Sequence, residues 1–246
     1  MVNNDFLIEN GVFYCQSNFT EVTIPEGVTS IGDDAFYMCK DVEKVTMPNS
    51  VTSIGERAFM NCAKLREINI PNSVATIGDL AFLDCKSLAN IIIPDDTKIE
   101  GDLAFSGCEK LADANGFVIV QGVLYNYYGT DTVVTIPDGV THIGRFAFTD
   151  CFELESVMIP DSVTSIGYYA FRRCLSLTRV TIPGSVTHIE EDPDKVCTQK
   201  QKDKNPAWKF LIGSPFPCNK KLTIYGPAGS CAAQHAEKYD IPFSVI

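Results

Sequence analysis

A cysteine returns every 23 residues through most of this chain: Cys39, Cys62, Cys85 and Cys108, then Cys151, Cys174 and Cys197. Disulfide frameworks and zinc sites set cysteines at short, irregular spacings such as C-x-x-C. One cysteine per fixed period marks a structural repeat instead, and a period of roughly 20 to 50 residues belongs to stacked arrays. Other residues keep the same beat. The segments INIPNSVATIGDLAFLDCKSL from Ile68 and VMIPDSVTSIGYYAFRRCLSL from Val157 share the pattern V-x-I-P-x-x-V-T-x-I-G-x-x-A-F-x-x-C-x-x-L. Its Ile-Pro or Met-Pro step starts at Ile24, Met47, Ile70, Ile93, Ile136, Ile159 and Ile182, and a looser copy without the proline sits at Ile224, which makes eight coils.

Each position of the repeat has a physical role. The V-x-I triplet alternates inward and outward as a short strand does, so Val45 and Met47, Ile68 and Ile70, and Ile91 and Ile93 point inward. Pro25, Pro48, Pro71 and their equivalents end that strand, because proline donates nothing to a ladder. The following V-T-x-I-G turns the chain, and Gly32, Gly55, Gly78, Gly144 and Gly167 suit a backbone angle that other residues avoid. The A-F-x-x-C stretch is too short for more than a helical turn. Phe36, Phe59, Phe82, Phe105, Phe148 and Phe171 stack into a column that only neighbouring coils can bury, so stability is shared between them. The cysteines then read as buried, reduced, small apolar residues.

The chain divides as one solenoid domain with interruptions. Residues 1–20 form an N-terminal hairpin cap, 21–111 hold coils 1–4, 112–131 a hairpin insertion, 132–189 coils 5–7, 190–217 an irregular lysine-rich insertion, and 218–246 the last coil and a C-terminal cap. Both hairpin segments alternate apolar residues around a glycine-containing turn, with Gly11-Val12-Phe13-Tyr14 answering Gly122-Val123-Leu124-Tyr125. The end reads as Ser230 capping a helix through Tyr239 and then a strand, a lid over the last coil.

Composition narrows the function. The formal charge of −11 disfavours nucleic-acid binding, which needs a broad Lys/Arg surface, and adsorption to anionic membranes. No apolar run has the length of a membrane span. The start, MVNNDFLIENG, lacks the basic and apolar stretches of a signal peptide; either the protein stays inside the cell or a leader has been removed. No G-x-S-x-G, phosphate loop or H-E-x-x-H is present, so the reading is non-enzymatic, with no cofactor, metal or catalytic residue. His142 and His188 share a coil position held elsewhere by Ser30, Ser53, Thr76 and Ser165, which makes it a tolerant polar position, and His235 stands alone on the terminal helix. Cys15, Cys218 and Cys231 lie off the beat and are left unassigned.

The repeated V-x-I-P-x-x-V-T-S-I-G-x-x-A-F-x-x-C-x-x-L resembles the BspA-like leucine-rich repeat family, over roughly residues 22–190. The resemblance implies a right-handed leucine-rich-repeat solenoid of the α/β horseshoe class, rich in β-structure, with a parallel sheet on one face. It also implies a cell-surface or secreted protein that binds protein ligands, adhering to host or neighbouring cells and to extracellular-matrix proteins. The alternative is a spacer or scaffold domain of a larger surface protein, without a ligand of its own. Departures from the pattern fall at Asp95–Glu100 and from Glu190 through Phe216.

Three surfaces are candidates for partner binding. The outward strand positions carry Asn90, Ile92, Val133, Thr135, Ser156, Met158 and Arg179, although threonine on an exposed strand is ordinary sheet chemistry and isolated surface apolars are common. Their columns run through Glu21, Lys44, Glu67 and Asn90 to Arg179 and Lys221, and through Thr23, Thr46, Asn69 and Ile92 to Thr181 and Thr223. On the coil flank, Phe146, Tyr168 and Tyr169 beside Arg172 and Arg173 give an aromatic and basic mix typical of interfaces. Residues 195–221 hold seven lysines against one aspartate, and Lys200, Lys202, Lys204 and Trp208 make either a recognition loop or a solvated stretch whose Trp208, Phe210 and Leu211 plug the last coils.

Overall fold

The computed structural model describes residues 6–15, 19–191, 215–216 and 221–246. It comprises two compact units, Met1–Ala114 and Asn115–Ile246. Lys200, Lys202, Lys204, Trp208, Phe210, Leu211, Cys197 and Cys218 lie outside the described residues, and with them the lysine-rich surface and the plug.

The first unit opens with an antiparallel hairpin of β1 (Phe6–Glu9) and β2 (Val12–Cys15). Its turn, Asn10-Gly11, has positive φ at both positions, the geometry that matches strand twist in a two-residue loop. The coils then contribute β3 (Glu21–Thr23), β4 (Ser30–Ile31), β5 (Lys44–Thr46), β6 (Ser53–Ile54), β7 (Glu67–Ile68), β8 (Thr76–Ile77) and β9 (Lys98–Ile99). Two parallel ladders result: β3-β5-β7 from the V-x-I triplets, and β4-β6-β8-β9 from the V-T-x-I stretch, with the hairpin added at the end of the latter through β2. The V-T-x-I stretch, expected only to turn the chain, thus builds a second sheet. Its two residues per coil are too few to show a strand period.

The second unit repeats this plan. A hairpin of β10 (Phe117–Val120) and β11 (Val123–Tyr127) pairs antiparallel with a bulge between Val118 and Ile119. The coils add β12 (Val133–Thr135), β13 (His142–Ile143), β14 (Ser156–Met158), β15 (Ser165–Ile166), β16 (Arg179–Thr181), β17 (His188–Ile189) and β18 (Thr223–Gly226). Helix α1 (Cys231–Tyr239) starts where Ser230 accepts a hydrogen bond from Ala233 N at 3.3 Å, satisfying one of the free N–H groups of the first turn. It leads to β19 (Phe243–Val245), which closes the V-x-I sheet parallel to β18.

The phenylalanine column forms as expected. In the first unit Phe6, Phe13, Phe36, Phe59, Phe82 and Phe105 stack at centroid spacings of 4.8–5.5 Å. In the second, Tyr127 takes the hairpin level, followed by Phe148, Phe171 and Phe216. Phe216 fills a level where the A-F pair is missing from the sequence; it is held because Phe171 N–H donates to Pro215 O at 2.8 Å. His235 on the terminal helix is buried and packs edge-on against Phe216 at 5.6 Å and tilted against Tyr239 at 4.6 Å, so it terminates the column.

Four expectations are corrected. The repeat glycines Gly32, Gly55, Gly78, Gly144 and Gly167 do not carry the unusual backbone angle. That angle falls instead on Asp34, Arg57, Leu80, Phe146 and Tyr169, and on Met38, Asn61, Asp84, Asp150 and Arg173. A Cβ on Gly78 would lie 2.6 Å from Glu56 N, and one on Gly167 would lie 2.7 Å from Arg145 N; glycine is required for close approach of neighbouring coils. In the last coil, Ile224 pairs with Val180, and Thr223 with Arg179, so the outward columns end in Thr223 and Tyr225, two residues beyond Lys221 and Thr223. A shift of two keeps every side chain on its face, so alternation alone could not reveal it. Cys39 and Cys151 are half-buried, while Cys62, Cys85, Cys108 and Cys174 are fully buried. Finally, Asn90–Ile93 of coil 4 form no ladder strand, and Ile91 and Ile93 are only half-buried, unlike their buried counterparts Ile68 and Ile70.

Candidate functional site

Coil 4 departs because it is one residue short after its proline. Lys98 lies opposite Thr76 and Ile99 opposite Ile77, 22 residues apart where the repeat has 23. Thr97 takes the buried place of Val74 and satisfies its hydroxyl by donating to Val74 O at 2.7 Å. The period is restored by Ala104, whose carbonyl accepts from Phe82 N–H at 2.8 Å.

The consequence lies on the V-x-I face. In other coils the second half of the triplet is tied to the next coil by a main-chain bond such as Ile24 N–H to Thr46 O at 2.9 Å or Ile136 N–H to Met158 O at 3.0 Å, coil 2 excepted. Among the described residues, no counterpart joins Ile70 to Ile92, and β7 pairs only with β5. One coil earlier, the side chain of Asn69 replaces a backbone rung: its Oδ1 accepts from Met47 N at 2.8 Å and its Nδ2 donates to Met47 O at 3.0 Å. The ladder therefore loosens at coil 3 and opens at coil 4. A groove of about 550 Å³ lies there, with Ile68, Ile70 and Ile91 along its floor and Lys44, Asn69 and Ile92 among its walls. The Lys44–Glu67 pair beside it spans 2.9 Å, and the hydrogen bond from Lys44 holds the Glu67 carboxyl below its ordinary pKa. Ile92 is 77% exposed, and Asn90 is exposed beside it.

On the same face of the second unit, Val133 and Met158 are 66% and 54% exposed. The register sets Val133 against Ser156 and Thr135 against Met158, and Ser156 against Arg179. The Arg179 guanidinium lies 4.0 Å over the ring of Tyr225, a residue that the two-residue shift left out of the expected outward columns.

The flank residues are brought together. Phe146, Tyr168 and Tyr169 contact one another at 5.2–5.6 Å, and all three are half-buried. Arg172 stacks over Tyr169 and Arg145 over Tyr168, at 5.4 and 4.6 Å. Arg173 turns away to Phe152 and to Asp150, which it meets at 2.9 Å. Glu190, standing in the glycine position of its coil, reaches back two coils to bind Arg145 and accepts from Tyr168 N at 3.2 Å. Arg145, Phe152 and Glu190 escaped the sequence reading because their partners lie on other coils.

His142 Nδ1 and Ser165 Oγ share a hydrogen bond at the coil position where, in the first unit, Ser53 donates to Ser30 Oγ at 2.8 Å. Among the described residues, no three metal-ligand side chains converge and no helix is long and apolar enough to cross a membrane.

Stacked coils with two parallel ladders and a shared aromatic column define a leucine-rich-repeat solenoid, a class of interaction and scaffold modules. The sequence matches the family described as BspA type leucine rich repeat region, in six copies, over residues 7–123 and 118–202, and the chain belongs to that family. It is similar to a leucine rich repeat protein of T. pallidum, at 27% identity over 75% of this chain and 81% of that one, TM-score 0.45. A leucine-rich repeat protein of Bacteroides ovatus shares 27% identity over 93% of this chain and 56% of that one, TM-score 0.45. The pneumococcal vaccine antigen PcpA shares 14% over 92% and 79%, TM-score 0.46. No curated protein matches the chain.

Proposed function

We propose that this chain is a protein-binding module of a cell-surface or secreted protein, and that it adheres to host or neighbouring-cell proteins, extracellular-matrix proteins among them. The observation that carries this reading is the groove at coils 2–4, where an unpaired strand edge borders the buried Ile68 and Ile70, the half-buried Ile91 and the exposed Ile92. Unpaired main-chain groups along such an edge are complemented by an extended polypeptide, which adds a strand and sets alternate side chains into the apolar floor. Membership of the BspA-type family supports the adhesive role.

The test is a binding screen of the whole chain against purified extracellular-matrix proteins, run at two salt concentrations. The reading expects at least one to bind and Ile92→Lys to weaken that binding at least tenfold. Because Ile92 is exposed, the substitution leaves the fold intact. Absence of any binding, or full binding by Ile92→Lys, contradicts the reading.

A further inference from the structure

Cys151 and Cys174 occupy equivalent positions on neighbouring coils held in step by the pairs Val134–Val157 and Ile143–Ile166. On one side of them Phe148 stacks on Phe171 at 5.0 Å; on the other Arg173 meets Asp150 at 2.9 Å. Adjacent parallel strands run about 4.8 Å apart, inside the Cα separation that a disulfide spans, roughly 4.4–6.8 Å. The two thiols are close enough for each to shift the other's pKa.

They differ in access. Cys174 is fully buried, its sulfur 3.0 Å from Phe148 O. Cys151 is half-buried, and its sulfur lies 3.8 Å from Tyr127 O, a looser contact. We propose that Cys151 and Cys174 form an oxidisable dithiol, with Cys151 as the attacking thiol, Cys174 as the resolving thiol, and low-molecular-weight disulfides as the oxidant.

The chemistry balances in two exchanges. The Cys151 thiolate, its proton released to water, attacks one sulfur of the oxidant; a mixed disulfide forms, and one thiolate leaves and is protonated. Cys174 then gives up its proton and attacks the Cys151 sulfur, expelling the second thiolate. Two protein thiols lose two electrons and two protons, and the oxidant becomes two thiols. The local electrostatics agree with this order. The neighbouring Cys174 thiol holds Cys151 below its ordinary pKa, while the neighbouring Cys151 and burial push Cys174 far above its own. A thiolate is the nucleophile in such exchanges.

The other cysteines provide the contrast. Cys62, Cys85 and Cys108 are fully buried, each sulfur 3.0–3.1 Å from a carbonyl oxygen. Burial pushes Cys62 and Cys108 up to about 12. Cys39 and Cys62 repeat the half-buried and buried pairing, but the neighbouring Cys15 pushes Cys39 well above its ordinary pKa, so its exposed member is not the ready thiolate that Cys151 is.

The experiment treats the whole native chain with oxidised glutathione, alkylates at timed intervals and maps the peptides by mass. The proposal expects a glutathione adduct on Cys151 first, then loss of two hydrogens with Cys151 linked to Cys174. Cys62, Cys85 and Cys108 should stay reduced throughout. Cys174→Ser should arrest the reaction at the Cys151 adduct, and Cys151→Ser should leave Cys174 unmodified. A Cys151 adduct that persists in the native chain, or oxidation of Cys174 at an undiminished rate in Cys151→Ser, overturns it. The time course on the unsubstituted chain decides even if a variant fails to fold.

Discussion

Cys62 sets its sulfur 3.0 Å from the carbonyl oxygen of Phe36, 26 residues earlier on the preceding coil. The same contact joins Cys85 to Phe59, Cys108 to Phe82 and Cys174 to Phe148. The two most regular columns of the repeat are therefore cross-linked: each cysteine donates to the main chain of the phenylalanine in the coil before it. Cysteine suits this place because it is small, apolar and still a weak donor.

Cys85→Ala removes both the donor and the sulfur volume. It should lower stability by about 1–2 kcal/mol, read as a fall in the urea midpoint at unchanged slope. An unchanged midpoint would mean that the sulfur contact contributes nothing.

Phe82→Ala opens the aromatic column at its centre and should cost roughly 3–5 kcal/mol. Phe146 is half-buried against Tyr168 and Tyr169 outside the column, so Phe146→Ala should cost only about 1 kcal/mol. Chemical denaturation of both variants checks the pair; equal losses would place the core elsewhere.

The glycine at the bend gives a sharper test of coil spacing. A Cβ on Gly78 would fall 2.6 Å from Glu56 N and 2.7 Å from Gly55 C, and backbone cannot yield as a side chain can. Gly78→Ala should therefore destabilise the chain by about 1–3 kcal/mol. A neutral or stabilising result would show that the coils are more widely spaced than described.

The sequence carried the repeat, the inward column, both hairpins and the C-terminal cap, because each rests on a local period or a turn residue. Features set by contact between coils were illegible. Gly78 looks like a turn residue but serves close approach, and Phe216 rejoins the column from a segment without the repeat. The groove was half-visible: Ile92 stood out as an apolar residue on an outward position, and Thr97-Lys98-Ile99 broke the beat. That the break opens the ladder on the opposite face follows only from the pairing of Lys98 with Thr76. Tyr225 was missed because a shift of two residues preserves alternation.

His235 makes the chain sensitive to acid. Burial holds its pKa down at about 4, against 6.5 for an exposed histidine. The unfolded chain therefore binds a proton that the folded chain resists, so this contribution to stability is complete above about pH 6.5 and lost as the pH falls towards 4. The loss amounts to up to about 3 kcal/mol. Unfolding midpoints measured between pH 7 and pH 4 should fall less steeply for His235→Phe than for the native chain; parallel curves would refute the assignment.

Amide hydrogen exchange tests the binding face most directly, using the whole chain alone and with the extracellular-matrix protein it captures. An added strand at the open ladder predicts slowed exchange confined to Glu67–Ile70 and Asn90–Ile93, the segments left unpaired between coils 3 and 4. Protection that appears instead around Phe146, Tyr168 and Tyr169, with the coil 3 and coil 4 amides unchanged, would contradict the account.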